Sequence, residues 1–451
     1  MSDPGFSSKL KSLREMAHRI FEEAMDACSV SRAFASKVSA KDNILRLGGV
    51  ECADLSEVKR ILTIAIGKGA GSLLQAFLEQ RSIVDGREVL GVLDAPDGLE
   101  NLPAGISYFR GGHPLPNEAS FAAARKALDL LVFSVEDSRA SETFCFFLMS
   151  GGGSAMFELP LDPSISLEDT AQFHRALVQS GASIIEINCI RKHFSAVKGG
   201  RLALAAKDLR HITLAVSDVP SGQLDSLSSG PTVPDSSTVE QCRAILEKYA
   251  LLPQFPESVQ RFFMTPQFVE TPKVGEIREN IFSVLSSDDL AVAASEAAGR
   301  CGFKTFIDNS CDDWDYAAAA DYLLNRLRVL RREHGRVCLI SAGEVTVRLS
   351  CSNHEKRAGG RNQHFALYSA LQLQKLESTV ILSVGSDGID GNSMAAGAAV
   401  DITTVLERRF EAQRALSRFD SFSFLNAIGD TVITGPTGNN LRDLRVLLAD
   451  E

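Results

Sequence analysis

Residues 61–72 read ILTIAIGKGAGS. A short β-branched run, Ile61 to Ile66, meets a turn made of Gly67-Lys68-Gly69-Ala70-Gly71, and the residues after it read as a helix. This is strand, turn, helix within a few residues. Three further runs share the texture of the first: VLGVL at 89–93, FCFFLM at 144–149 and HITLAV at 211–216. Each is apolar nearly throughout and does not alternate, as expected of strands buried on both faces of a parallel sheet. Helical patterns at 119–133 and 167–186 lie between them. Strands alternating with helices predict a doubly wound α/β sheet.

Toward the N-terminus, Leu10, Leu13, Ala17, Ile20, Phe21, Ala24, Met25 and Cys28 recur at helical spacing, so the chain opens with an amphipathic helix. Toward the C-terminus, Pro253, Pro256, Pro266 and Pro272 interrupt regular structure and place a domain boundary or hinge in 251–275. Strand patterns resume at 282–285, 337–341, 345–349, 379–384 and 431–434, with helices at 287–301 and 315–334. The expected division is 1–265 and 266–451, both α/β, with the last segment able to pack back on the first domain.

The length of 451 residues suits two or three domains. A net charge of -10 argues against a general nucleic-acid or membrane surface. The nine cysteines are scattered, with no CxxC. That suits buried free thiols in a reducing compartment and argues against a disulfide framework or a zinc site. The N-terminal MSDPGFSSKL has no apolar signal core, and no apolar stretch approaches the ~18 residues of a membrane span. The expected compartment is the cytoplasm.

Five constellations carry the chemistry. Gly67-Lys68-Gly69-Ala70-Gly71 lets the backbone approach a phosphate closely, but it is neither GxxxxGK[ST] nor a complete GxGxxG, since Ser72 holds the last place. The alternative is a tight turn with a solvated lysine. Ser150-Gly151-Gly152-Gly153-Ser154 ends the strand at 144–149; three glycines there suit a backbone cradle for phosphate or carboxylate. GxSxG fails at Met156, so Ser154 is not read as a hydrolase nucleophile. Arg191, Lys192, Lys198 and Arg201 crowd one short segment with His193, and could line a pocket for phosphate and a small carboxylate or form a solvated helix face. Asp218 ends the strand at 211–216, where open α/β sheets bind ligands, and could hold a divalent metal or orient a hydroxyl. In the second domain, Gly343-Glu344, Gly359-Gly360-Arg361-Asn362-Gln363, Gly385-Ser386-Asp387-Gly388 and Gly435-Pro436-Thr437-Gly438 suggest a site built from loops on one sheet edge. The polar stretch 352–357 before the second of these reads as a mobile loop. His113, beside Pro114, is either a turn residue or a pocket residue.

Taken in order, AIGKGA, GGHPLPNEAS, SGGGSAMFELP, NCIRKHFSAVKGGRLA, VSDV, SGPTVPD, GGRNQHFAL, GSDGIDG and TGPTGNNLRDLRVLL form a series. That series resembles the class II glycerate 2-kinases, whose C-terminal part is the MOFRL domain. The resemblance runs from about residue 10 to the C-terminus. It implies a Rossmann-like, three-layer α/β/α N-terminal domain, a smaller α/β MOFRL domain and an active site in a cleft between them. It further implies transfer of the ATP γ-phosphoryl group to the 2-hydroxyl of D-glycerate, with Mg²⁺ or another divalent cation, giving 2-phosphoglycerate and ADP. The family's catalytic lysine and arginine match Lys68 and Arg361, which closure of the cleft would bring together. The chain departs from the family at Val345, Ser386 and Asn439, and carries Pro220-Ser221-Gly222-Gln223-Leu224-Asp225 where an acidic run is usual. The last departure puts metal handling and acceptor choice in question.

The expected assignments follow. Lys68 and Arg361 are catalytic. Ser150, Gly151, Gly152, Gly153, Ser154, Arg191, Lys192 and Lys198 bind substrate or phosphate. Asp218 and Asp387 hold metal or orient the hydroxyl. The expected partners are glycerate and ATP alone, with the chain a monomer or homodimer. The rival readings are a hydroxypyruvate reductase using a nicotinamide cofactor and a non-catalytic glycerate or nucleotide binder.

Overall fold

A computed structural model describes residues 4–219, 223–265, 268–348 and 357–450. The expected mobile loop lies almost wholly outside these residues, as do Pro220, Ser221, Gly222, Pro266 and Cys351. The chain forms two compact units: Val30–Leu285, and a second made of residues up to Ser29 together with Ser286 onward.

The Val30–Leu285 unit begins with a helix, Val30–Lys37, followed by a small antiparallel sheet of β1 (Val38–Lys41), β2 (Ile44–Leu47) and β3 (Val50–Asp54). Its main sheet has six parallel strands: β4 (Arg60–Ile66), β5 (Glu88–Asp94), β6 (Ile106–Phe109), β7 (Thr143–Met149), β8 (Arg210–Val216) and β9 (Ile281–Leu285). Their order is β6-β5-β4-β7-β8-β9. The chain runs outward from β4 in one direction and then from β7 in the other, so the switch point lies between β4 and β7. Both of these strands are buried along their whole length.

Alternation along β7 explains why both faces are apolar. Cys145, Phe147 and Met149 join Leu62, Ile64 and Ile66 in a core with Ala123, Ala124, Ala127 and Leu131 of the helix Glu118–Glu136. Phe146 points the other way and packs on Phe77 of the helix Ala70–Leu78, with ring centroids 4.8 Å apart. Helices on both faces make the three-layer arrangement that the apolar runs predict.

The second unit has a mixed six-stranded sheet of β10 (Lys304–Ile307), β11 (Val337–Ala342), β12 (Thr379–Gly385), β13 (Gly397–Val400), β14 (Thr431–Val432) and β15 (Asp443–Ala449). The order is β10-β11-β15-β12-β13-β14, and only the β10/β11 pair is parallel.

Several expectations need correction. The units divide at Leu285/Ser286, because the strand at 281–285 pairs with β8 and closes the first sheet. The proline-rich stretch expected to be a boundary or hinge is packed into the first unit: Phe255, Val259, Phe263 and Phe268 are buried in a core with Phe173 and Phe194. The opening helix, Pro4–Ala27, belongs with the C-terminal unit. Arg14 fixes it there through ion pairs to Asp401 and Asp430 and a 2.8 Å bond to the Ala399 carbonyl. In the last segment, β15 sits inside the second sheet, between β11 and β12. Residues 345–348 make no strand beyond an isolated bridge at Thr346. The span 167–186 is two helices, Leu167–Gln179 and Ile184–Phe194, broken where Gly181 takes φ +74° and Ser183 caps the second. No helix among the described residues is long and apolar enough to cross a membrane.

Candidate active site

At the switch point the turns after β4 and β7 bind each other. The Lys68 N–H donates to the Gly151 carbonyl at 2.8 Å, and the Gly69 N–H donates to Ser150 Oγ at 2.9 Å. This close approach explains two glycines. A Cβ on Gly67 would stand 2.4 Å from the Ser150 carbonyl oxygen, and one on Gly151 would stand 1.7 Å from Asp218 Oδ2. Thus Asp218, at the end of β8, lies directly against the 150–154 loop. Lys68 is exposed and passes over the same loop, its Cγ 2.8 Å from where a Gly152 Cβ would be.

A chain of hydroxyls ties this loop to the basic segment. Ser154 Oγ lies 2.8 Å from Ser229 Oγ, and Ser229 donates to Asn188 Oδ1 at 3.0 Å. Asn188 sits on the helix Ile184–Phe194, which also carries Arg191 and Lys192. Arg191 is 9% exposed and its Nε is buried with no hydrogen-bond partner. Burial lowers its pKa, with only partial relief from Glu158. An incompletely satisfied buried guanidinium is suited to an anion.

The other two cations of the segment have different surroundings. Lys192 donates to Asp225 at 3.1 Å and Asp235 at 3.2 Å. Lys198 is fully buried, 2.7 Å from Glu158 Oε2 and 3.0 Å from the Phe157 carbonyl. Glu158 also meets His174 at 2.8 Å. Burial pushes the Glu158 carboxyl up, but Lys198 and His174 outweigh it and hold it at about 2. Lys198, expected to bind substrate or phosphate, here completes a buried ion pair with Glu158. Lys192 borders a cavity of about 380 Å³ with Asn188, Asp225 and Asp235, its charge already balanced by the two aspartates.

In the second unit, Arg361 opens the helix Arg361–Gln372. Its guanidinium grips Asp443 with two bonds, 2.6 Å from Nε and 3.1 Å from Nη2, and meets Glu344 at 2.7 Å. Burial opposes its charge, but Asp443 and Glu344 prevail and raise its pKa further. The first backbone N–H groups of the helix, from Asn362 (3.1 Å) and Gln363 (2.9 Å), bond to the buried carboxylate of Asp390. Burial nonetheless pushes Asp390 up to about 6. Gly360 is needed beneath it, since a Cβ there would stand 2.2 Å from Asp390 Oδ1. Gly360, Arg361 and Asp390, with Asp387, Glu344, His364 and Phe419, line a cavity of about 800 Å³. His364 is bonded to Ser421 at 2.8 Å and stacked on Phe419, and burial lowers it to about 4, so it is neutral at pH 7.

A family described as "Domain of unknown function (DUF4147)" matches residues 16–264, and the MOFRL family matches residues 337–443. The glycerate 2-kinase of Pyrococcus horikoshii is 33% identical over 97% of both chains. The chain belongs to the glycerate 2-kinase family. A solved structure of glycerate kinase from Thermotoga maritima matches with a TM-score of 0.79 and 31% identity, covering 97% of this chain and 100% of that one. A putative hydroxypyruvate reductase of Agrobacterium vitis is 31% identical over 97% of this chain and 94% of its own.

Within this glycerate 2-kinase fold, the switch-point turns bring together Lys68, residues 150–154 and Asp218, while Arg361 and Asp387 meet at the second cavity. Sequence reasoning missed Asp94, Asp390 and Asp443. Asp94 ends β5 and accepts from Gly111 N–H at 2.9 Å; burial pushes it up to about 8. Its place at the end of an apolar strand was the available signal. Asp443 begins a strand that carries Arg445 in its middle, and those charges hid it.

Proposed function

We propose that the enzyme transfers the γ-phosphoryl group of ATP to the 2-hydroxyl of D-glycerate, giving 2-phosphoglycerate and ADP. The observation that carries this reading is the pairing of a buried, incompletely satisfied Arg191 with the glycine cradle at 150–154, joined through Asn188, Ser229 and Ser154. Arg191 suits the acceptor carboxylate, and the cradle suits a phosphoryl oxygen. Lys68, exposed at the end of β4, neutralises charge on the transferring group, and Arg361 does the same once its carboxylate partners share it with a phosphate. Phosphoryl transfer through a loose transition state needs position and charge more than a strong base.

The residues also fit a divalent cation of the kind that accompanies a nucleotide. Among the described residues no three carboxylates stand close enough to form a ready cage. Mg²⁺ ordinarily binds one or two carboxylates plus substrate phosphates, a role open to Asp218 and Asp387. When bound, it would offset phosphate charge.

The reductase reading draws on the Agrobacterium relative and on the switch-point sheet order, which suits dinucleotides as well. Ser72 in place of the last glycine of GxGxxG weighs against it. The test is a panel of small hydroxy acids with ATP, read as ADP release, beside hydroxypyruvate with NADH. ADP release that depends on glycerate is expected. NADH oxidation without it would overturn the proposal.

A further inference from the structure

The helices Ile184–Phe194 and Val239–Lys248 pack together in the Val30–Leu285 unit. Where they face each other, Cys189, His193 and Cys242 converge. Two sulfurs and one imidazole nitrogen lie within 4.8 Å of one another, and all three residues are buried. No step proposed above uses them. His193 Nδ1 bonds to the Cys189 carbonyl at 2.8 Å, while its Nε2 is buried without a hydrogen-bond partner. A buried imidazole nitrogen left in that state is costly unless something occupies it. Its Nδ1 contact to a backbone carbonyl is the kind that fixes the ring of a metal-ligating histidine.

We propose that Cys189, His193 and Cys242 form a three-ligand site for a soft divalent cation of the zinc class. The first two ligands are one helical turn apart on the same face, so a single helix delivers both. The third comes from the neighbouring helix. Tetrahedral coordination with metal–sulfur bonds near 2.3 Å and metal–nitrogen bonds near 2.0 Å places ligand atoms roughly 3.5–3.8 Å apart. Closing on an ion from the observed spacing therefore takes only small side-chain rotations. Of the three ligands, Cys189 borders the cavity lined by Asn188, Lys192 and Ser237, from which a water could supply the fourth ligand. The Lys192 charge beside it is balanced by Asp225 and Asp235, and Glu270 Oε2, 3.8 Å from His193 Nε2, adds a negative neighbour. A thiol pair alone would suit a disulfide equally well; the imidazole at the third corner favours a metal. An ion here would pin the helix that carries Arg191 to its neighbour.

The test is a titration of the full-length, reduced, metal-stripped protein with Co²⁺. One equivalent is expected to develop a thiolate-to-cobalt charge-transfer band and the intense visible bands of tetrahedral cobalt, both removed by Zn²⁺. Cys242→Ser and His193→Gln should each weaken binding at least tenfold, whereas Cys52→Ser, at an exposed cysteine, should leave the bands intact. Absence of a thiolate band in the unmutated protein overturns the proposal without recourse to any variant. So do unchanged bands in Cys242→Ser, or a Cys189–Cys242 disulfide found by peptide mapping of the unreduced chain in place of metal.

Discussion

Lys68 and Lys198 each precede a glycine in the same compact unit, yet their surroundings are opposite. Lys68 stands exposed at the switch point of the parallel sheet, over a loop of three glycines. Lys198 is fully buried against Glu158, which is itself fully buried and shared with His174. The contrast is between an ammonium open to a ligand and one that balances a buried carboxylate. Desolvation decides this: a buried ammonium requires a counter-ion, and that counter-ion in turn needs the ammonium.

The largest expected effect of breaking this contrast falls on Lys198. Lys198→Ala leaves the Glu158 charge buried and should cost about 3–5 kcal/mol. The loss is read as a lowered urea midpoint at unchanged slope. Retained stability would show that the pair is not holding the segment.

A second prediction concerns pH. Asp94 titrates near 8 in the fold, well above its ordinary value of 3.8, because it is buried. A raised carboxyl pKa means that the folded state holds its proton more tightly than the unfolded chain. Its contribution is full below about pH 4 and is lost as pH rises toward 8, at roughly 1.4 kcal/mol per pH unit between. Asp94→Asn removes that titration. Its stability relative to the parent protein should therefore climb from pH 5 to pH 8 in parallel denaturation series. Parallel curves would place the Asp94 proton elsewhere. The smallest effect belongs to Ser154→Ala, which removes one link of the Ser154–Ser229–Asn188 chain and should cost about 0.5–1.5 kcal/mol. A measurable rise in KM for glycerate should accompany it if the chain orients the Arg191 helix.

The legible parts of the sequence were those set by local physics. The unbroken apolar strands announced a parallel sheet because both faces are covered, and the glycine turns marked strand ends where the backbone can approach an anion closely. What could not be read depends on distant partners. The prolines between 251 and 275 read as a domain boundary or hinge, yet Phe255, Val259 and Phe263 between them build a core. The opening amphipathic helix carried no mark of which sheet it covers until Arg14 found Asp401 and Asp430. Asp443–Ala449 escaped notice because buried Arg445 interrupts its apolar run. At the site, Lys68, residues 150–154 and Asp218 stood out by type and position. The ion pair of Lys198 was not legible, because its partner Glu158 lies forty residues earlier in the chain.

The most direct test compares the parent protein with Lys68→Ala, using ATP and D-glycerate, with the product located by phosphorus NMR and stability followed by thermal melting. The parent protein is expected to give 2-phosphoglycerate, and the variant a turnover lower by about 10²–10³ at an unchanged melting temperature. Phosphate at another position would contradict the proposed reaction, and near-normal turnover in a folded Lys68→Ala protein would contradict the role given to the exposed lysine.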